Sequence, residues 1–152
     1  ANNDPSACYP SAVLGSGAVV KTNSREIAAD DFFQGMFTTA LEEGEIITEV
    51  KFPVPQKANY QKFVQPASRF ALVGVFVAKF ADGVRVAVTG ASGEGVFRWT
   101  EAEAALSKDF TAAALDGVAA PSADGMISDL HGTGAYRAHL VKVMTARAVA
   151  AA

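Results

Sequence analysis

Few of the 152 residues could carry chemistry, and their spacing limits what that chemistry is. His131 and His139 are the only histidines, eight residues apart. His139 lies between Tyr136 and Leu140 in a run of helical spacing and reads as a structural or surface residue. His131, in "SDLHGTG", reads as a helix-capping or interface residue. No H-E-x-x-H and no Cys/His pair offers a zinc site. Cys8 is the only cysteine, which excludes an internal disulfide and a cysteine-based metal centre. It falls on an expected helix with no histidine near it in sequence. A small buried residue is the default reading there, and a reactive thiol the alternative.

Three polar stretches remain. "GASGEG" (90–95) invites a phosphate-loop reading, but lacks G-K-[ST] and G-x-G-x-x-G spacing, and strand-like "VFRW" follows it. It reads as a strand-to-strand turn. Lys62, in "YQKF", reads as a solvated lysine on an edge strand. Asn2, Asn3 and Asp4 present side-chain acceptors just before a helix start with free N–H groups. Such a place can meet a phosphate or a polar cofactor edge, although an ordinary Asx-Pro turn explains it as well. These residues do not form a catalytic set.

The elements that must position these residues can be read from local pattern. "DPSACYPSAVLGSG" predicts a turn capped by Asp4, a short helix and a glycine stop at Gly15 or Gly17. "AVVKT" is an expected strand, and "REIAADDFF" an expected strand running into one helical turn. In "EIITEVKFP", Ile46, Thr48, Val50 and Phe52 alternate against Ile47, Glu49 and Lys51. Pro53 and Pro55 close that strand, and "PVPQKAN" reads as a linker between two lobes. Beyond it, "NYQKFV" is an expected strand. "RFALVGVFVAKF" and "VRVAVTGAS" flank Asp82-Gly83 as a hairpin, the first strand apolar on both faces and therefore central. Three helices should follow. "TEAEAALSK" has Thr100 and Glu103 at capping-box spacing, and "TAAALDG" ends at Gly117. "GAYRAHLVKVMTARAVAAA" places Tyr136, Leu140, Val143 and Met144 on one stripe. Strands followed by helices predict an α+β fold, with an antiparallel sheet covered on one face.

Composition is compatible with a compact domain. Half the residues are apolar and the formal net charge is −3. The absence of a basic cluster argues against nucleic acid and anionic membranes. No apolar run approaches the length of a bilayer span, and the N-terminus has no secretory-signal pattern. The polar start without Met leads to the expectation that the chain is a piece of something larger.

The ordered set of segments resembles the medium, flavin-binding subunit of the molybdenum hydroxylases, the xanthine dehydrogenase and carbon monoxide dehydrogenase flavoprotein family. "ANNDPSACYPSAVLGSGAVV" resembles the stretch after that family's second glycine-rich flavin loop. "REIAADDFFQG…ALEEGEIITEVKFP" resembles the block that follows it, where an acidic pair introduces a strand ending in Pro. "NYQKF…FALVGVFVA" resembles the tyrosine-x-lysine strand that opens the family's C-terminal domain. "SDLHGTGAYRAHLVKVMTARAV" is similar to that domain's terminal helix.

The resemblance implies two parts. Residues 1–57 would be the C-terminal part of the second FAD-binding subdomain. Residues 58–152 would be the C-terminal domain, an antiparallel sheet of three or four strands against a three-helix cluster. It implies a cofactor set of Asn3, Asp4, Cys8, Ile47 and Lys62. In it Cys8 stands where many relatives carry an aspartate, and Ile47 packs on the flavin. Ser68 and Arg69 stand where the family often has Arg and Asp, so a role tied to that aspartate does not transfer. The implied function is to pass electrons from iron–sulfur clusters through FAD to an external acceptor in a cytoplasmic molybdenum oxidoreductase. Molybdopterin would lie on a large partner subunit and 2Fe–2S clusters on a small one, and the isolated chain is expected to be inactive. The competing reading is a subunit-assembly module without chemistry.

Overall fold

The N-terminal turn forms around Asp4, whose Oδ1 accepts the Ser6 N–H at 2.8 Å. The structure, a computed structural model, describes all residues 1–152. Helix α1 (Tyr9–Ser16) stops at Gly17, which takes the left-handed conformation (φ 63°) and donates its N–H to Leu14 O. Three antiparallel strands follow in the order β2-β1-β5, from β1 (Val19–Thr22), β2 (Glu26–Ala28) and β5 (Ile47–Lys51). Between them lie the single turn α2 (Ala29–Phe32) and a small hairpin of β3 (Phe33–Gly35) and β4 (Thr38–Thr39).

Strand β5 departs from the expected alternation. Lys21 on β1 faces Glu49, but the next residue, Thr22, faces Ile47, so Thr48 has no partner. This bulge turns Ile47 to the same side as Val50, and both pack on the cluster of Val13, Leu14, Val20, Ile27 and Phe32. Ile46 stays exposed.

The second sheet runs β6 (Lys57–Val64), β7 (Ala71–Lys79), β8 (Val84–Thr89) and β9 (Phe97–Arg98), antiparallel and in chain order. β7 and β8 form the expected hairpin, with Val75 opposite Val88 and Val77 opposite Val86. These valines join Trp99, Leu106, Leu140, Val141 and Met144 under α3 (Thr100–Lys108), a 3₁₀ turn (Ala112–Leu115) and α4 (Gly134–Ala150). The fold is α+β, as expected.

Coverage of one face only was not the outcome. α1 lies against the other face of β7 and β8. Gly15 permits this approach: a Cβ there would stand 2.6 Å from the Phe76 ring and 3.1 Å from the Ala87 methyl. A strand that is apolar on both faces needs a cover on each.

The helices also differ in detail. Thr100 and Glu103 form no capping box; Trp99 occupies the cap position. The Glu103 carboxylate instead turns back to the sheet, accepting from Val86 N at 2.9 Å and Arg98 Nε at 2.8 Å. "TAAALDG" winds only as the 3₁₀ turn. α4 is capped by Thr133, whose hydroxyl accepts the Tyr136 N–H. Of the expected stripe, Leu140 and Met144 are buried and Tyr136 is exposed, while Arg137, Val141 and Ala148 are buried beside them. No helix is long and apolar enough to cross a membrane.

Candidate functional site

The loop of residues 3–8 is fixed to the end of β8. Gly90 N donates to Pro5 O at 2.6 Å, and the Thr89 hydroxyl reaches Pro5 O and Ala7 O at 3.1 and 2.7 Å. Asn3 is the deeper anchor. It is buried, with φ 51°, and its amide nitrogen donates to Gly35 O at 2.7 Å and Glu94 O at 3.3 Å. Its carbonyl oxygen accepts the Val96 N–H at 3.2 Å. The Asn3 side chain is thus occupied by backbone groups, and any approach of this residue to a ligand runs through the loop it holds. Gly95 must be glycine for this arrangement, since a Cβ would fall inside the Asn3 amide and its φ is 98°.

With the loop in place, Cys8 arrives at the N-cap of α1, half-buried and without a side-chain capping bond. It meets β6. Lys62 Nζ donates to Cys8 Sγ at 3.6 Å. Lys62 is therefore a half-buried lysine, not a solvated one, and it makes no ion pair with a carboxylate within 4.0 Å. Residues 54 positions apart in the chain are brought together here.

Tyr60 stands two residues before Lys62 and points to the same face of the strand. Its ring crosses Gly74, where a Cβ would collide with the hydroxyl. The hydroxyl is buried and has no hydrogen-bond partner. Burial first, and the neighbouring Cys8 second, push the Tyr60 phenol far above its usual range, so it remains a protonated donor. The Cys8 sulfur acts on it without meeting hydrogen-bond geometry.

Ile47 is not in this cluster. It lines an apolar hollow of about 140 Å³ with Tyr9, Pro10, Val13, Phe32 and Val50. Ala1, Asn2 and Ala7 also line it, and neither Cys8 nor Lys62 does. Asp4 is half-buried in its own turn. Ser68 and Arg69 are exposed, with φ 62° and 56°, in the turn joining β6 to β7. His139 is exposed, and His131 rests edge-on against Phe70 at 6.3 Å. No group of three or more His, Cys, Asp or Glu residues could hold a metal ion. A larger open cleft of about 390 Å³ lies beside Arg85, Arg98 and Glu103. Its guanidiniums are paired with Asp30 and Glu103.

Tyr60 is the residue that sequence reasoning missed. The signal was present in the Tyr-x-Lys spacing, which puts both side chains on one face. Only the missing Cβ at Gly74 and the arrival of Cys8 show that the hydroxyl is enclosed. The arrangement offers two donors, an ammonium and a phenol, beside a weak thiol acceptor. It suits recognition of a polar acceptor and contains no general base or paired carboxylates.

Residues 1–55 match the family described as "FAD binding domain in molybdopterin dehydrogenase". The nicotine 6-hydroxylase medium subunit of Paenarthrobacter nicotinovorans is 32% identical over 98% of this chain and 57% of its own length. The carbon monoxide dehydrogenase medium chain of Afipia carboxidovorans is 28% identical, over 98% of this chain and 57% of its own. Among solved structures, reconstituted CO dehydrogenase from Oligotropha carboxidovorans superposes with a TM-score of 0.83 at 26% identity. That match covers 98% of this chain and 57% of the other. The chain spans 57% of the length of these relatives.

Proposed function

We propose that the chain belongs to the family of FAD-binding medium subunits of the molybdenum hydroxylases and forms part of the FAD site of an electron-transferring flavoprotein subunit. A flavin bound there would supply the redox chemistry, electron transfer between iron–sulfur clusters and an external acceptor. The parent complex would carry molybdopterin on a large partner subunit and 2Fe–2S clusters on a small one, and the isolated chain would be inactive.

The observation that carries this reading is the Lys62–Cys8 contact at 3.6 Å, which unites two of the expected cofactor residues from distant segments. The residues present also fit a polar cofactor. Lys62 has only a sulfur to bond, and the Tyr60 hydroxyl has no partner in the chain. Lys62 would hold a polar edge of the flavin and favour added negative charge there. Ile47 would supply an apolar wall, and Asn3 and Asp4 would fix the loop that brings Cys8 to the site. The thiol of Cys8 is a poorer acceptor than a carboxylate, so that contact is the weakest of the set.

The test uses the flavoprotein subunit that carries this chain. Lys62→Met keeps the length and apolar stem and removes the charge. A hydrogen bond to a charged partner contributes about 1.5–3 kcal/mol. For a two-electron couple, about 1.4 kcal/mol corresponds to roughly 30 mV. The variant should therefore bind FAD more weakly or shift its potential, read by flavin fluorescence titration and spectroelectrochemistry. Unchanged affinity and potential would remove Lys62 from the site. A subunit that holds no flavin in its wild-type form would overturn the reading as a whole and leave the assembly module standing.

A further inference from the structure

We propose that Tyr60 is a flavin-binding residue, its hydroxyl kept free of partners inside the protein so that it and Lys62 can donate together to one acceptor edge of the cofactor. The inference rests on the flavin reading given above and extends it to a residue outside the set the resemblance implies.

Buried polar groups are nearly always hydrogen-bonded, because an unmet donor loses its water without compensation. The fold holds two such buried side-chain atoms, the Tyr60 hydroxyl and Arg137 Nε. Arg137 is explained by its other nitrogens, which make four bonds. Tyr60 has no such explanation, since its only polar atom is the orphan.

Three features show that the position is built. Gly74 leaves room for the ring, and any Cβ there would strike the hydroxyl. The Thr89 methyl bounds the same space, while the Thr89 hydroxyl is bonded elsewhere, to Pro5 O and Ala7 O. The third is Cys8, which accepts from Lys62, the residue two positions on along the same face of the strand. An ammonium–thiol contact of 3.6 Å is a long bond to a weak acceptor. An oxygen or ring nitrogen is a better acceptor for the ammonium than a thiol. Burial keeps the phenol protonated near neutral pH, so its O–H is present to donate.

Tyr60→Phe separates this role from a structural one, because a structural hydroxyl and a reserved one move two readouts differently. Removing an unpartnered buried hydroxyl should raise the melting temperature of the flavin-free subunit, by about 2–4 °C for a gain near 1 kcal/mol. The same change should weaken FAD binding by roughly three- to tenfold, the loss of one neutral hydrogen bond. Higher apo stability with lower FAD affinity is the expected result. A lower apo melting temperature means the hydroxyl has a structural partner and overturns the inference. Unchanged FAD affinity in Tyr60→Phe overturns it as well. If Lys62→Met weakens FAD binding while Tyr60→Phe does not, the flavin reading stands and only the role of Tyr60 falls. If the wild-type subunit takes up no FAD, both fall.

Discussion

Arg137 shows how far a single residue can depart from a pattern. Helical spacing points to an apolar stripe through Tyr136, Leu140, Val143 and Met144; Leu140 and Met144 are buried, yet so is a guanidinium one residue from Tyr136. It is tolerated because it carries bonds with it: Nη1 donates to Leu72 O and Gly90 O at 2.8 Å each, and Nη2 to both Asp129 oxygens at 2.9 Å. Leu72 is the second residue of β7 and Gly90 directly follows β8, so α4 is tied to one end of the sheet. Arg137→Met would take the guanidinium donor from two buried carbonyls and should cost about 3 kcal/mol in a urea denaturation. Asp129→Asn should cost under about 1 kcal/mol, because that side of the pair reaches water. Equal losses would show that the ion pair, not the carbonyls, holds the helix. Asn3 is a second case of the same kind. Its turn was legible in Asn-Asp-Pro, but its partners Glu94 and Val96 lie more than ninety residues away and leave no local trace.

Elements with a strong two-residue or helical period were legible: the β7–β8 hairpin, β6 and α4 all lie where alternation and composition put them. β5 was located correctly and its faces misassigned, because a bulge at Thr48 is set by pairing with β1 and not by β5 itself. The capping box failed for a similar reason, since Glu103 found a stronger partner in Arg98. One network beside the bulge joins residues more than twenty positions apart and leaves no local pattern. The Glu45 carboxylate is ringed by donors, accepting from Arg25 Nε at 2.9 Å, Thr22 Oγ1 at 2.7 Å, Ser24 Oγ at 3.0 Å and Glu42 N at 2.9 Å. The Arg25 guanidinium first, then the Thr22 hydroxyl and the Glu42 N–H, hold its carboxyl far below the usual carboxylate range. A carboxyl depressed in the folded state stabilises fully above its unfolded pKa, and that contribution is lost as pH falls toward the folded value. The N-terminal sheet should therefore loosen progressively below about pH 4.5, the ordinary glutamate value. Glu45→Gln should be less stable than wild type at pH 7 and should show a shallower fall in urea midpoint between pH 5 and pH 3. Parallel pH profiles for the two proteins would remove Glu45 as a source of the acid sensitivity.

At the scale of the whole molecule, the two hydrophobic clusters are unequal in what they need from each other. All seventeen buried residues of the larger cluster lie between Leu72 and Val149. The smaller cluster of nine includes Ala87 and Val96, so residues 1–57 complete their core on the second sheet. Polar contacts run the same way: Arg85 donates to Leu14 O at 2.9 Å and to Asp30 Oδ1 at 2.6 Å, and Asn3 grips Val96. Between the proposed parts, Phe52, Pro53, Val54 and Gln56 are exposed, with Val54 92% accessible, and two prolines keep the segment out of either sheet. Limited proteolysis should therefore cut first between Phe52 and Gln56. The piece from about residue 57 to 152 should remain folded when separated from its partner in mild urea, because its core is internal to it. The N-terminal piece should stay bound under native conditions and be digested once released, since it loses Ala87, Val96 and the Arg85 anchor together. Earlier loss of the C-terminal piece, or a free N-terminal piece that keeps its circular dichroism, would reverse this dependence and move the proposed boundary away from residue 57.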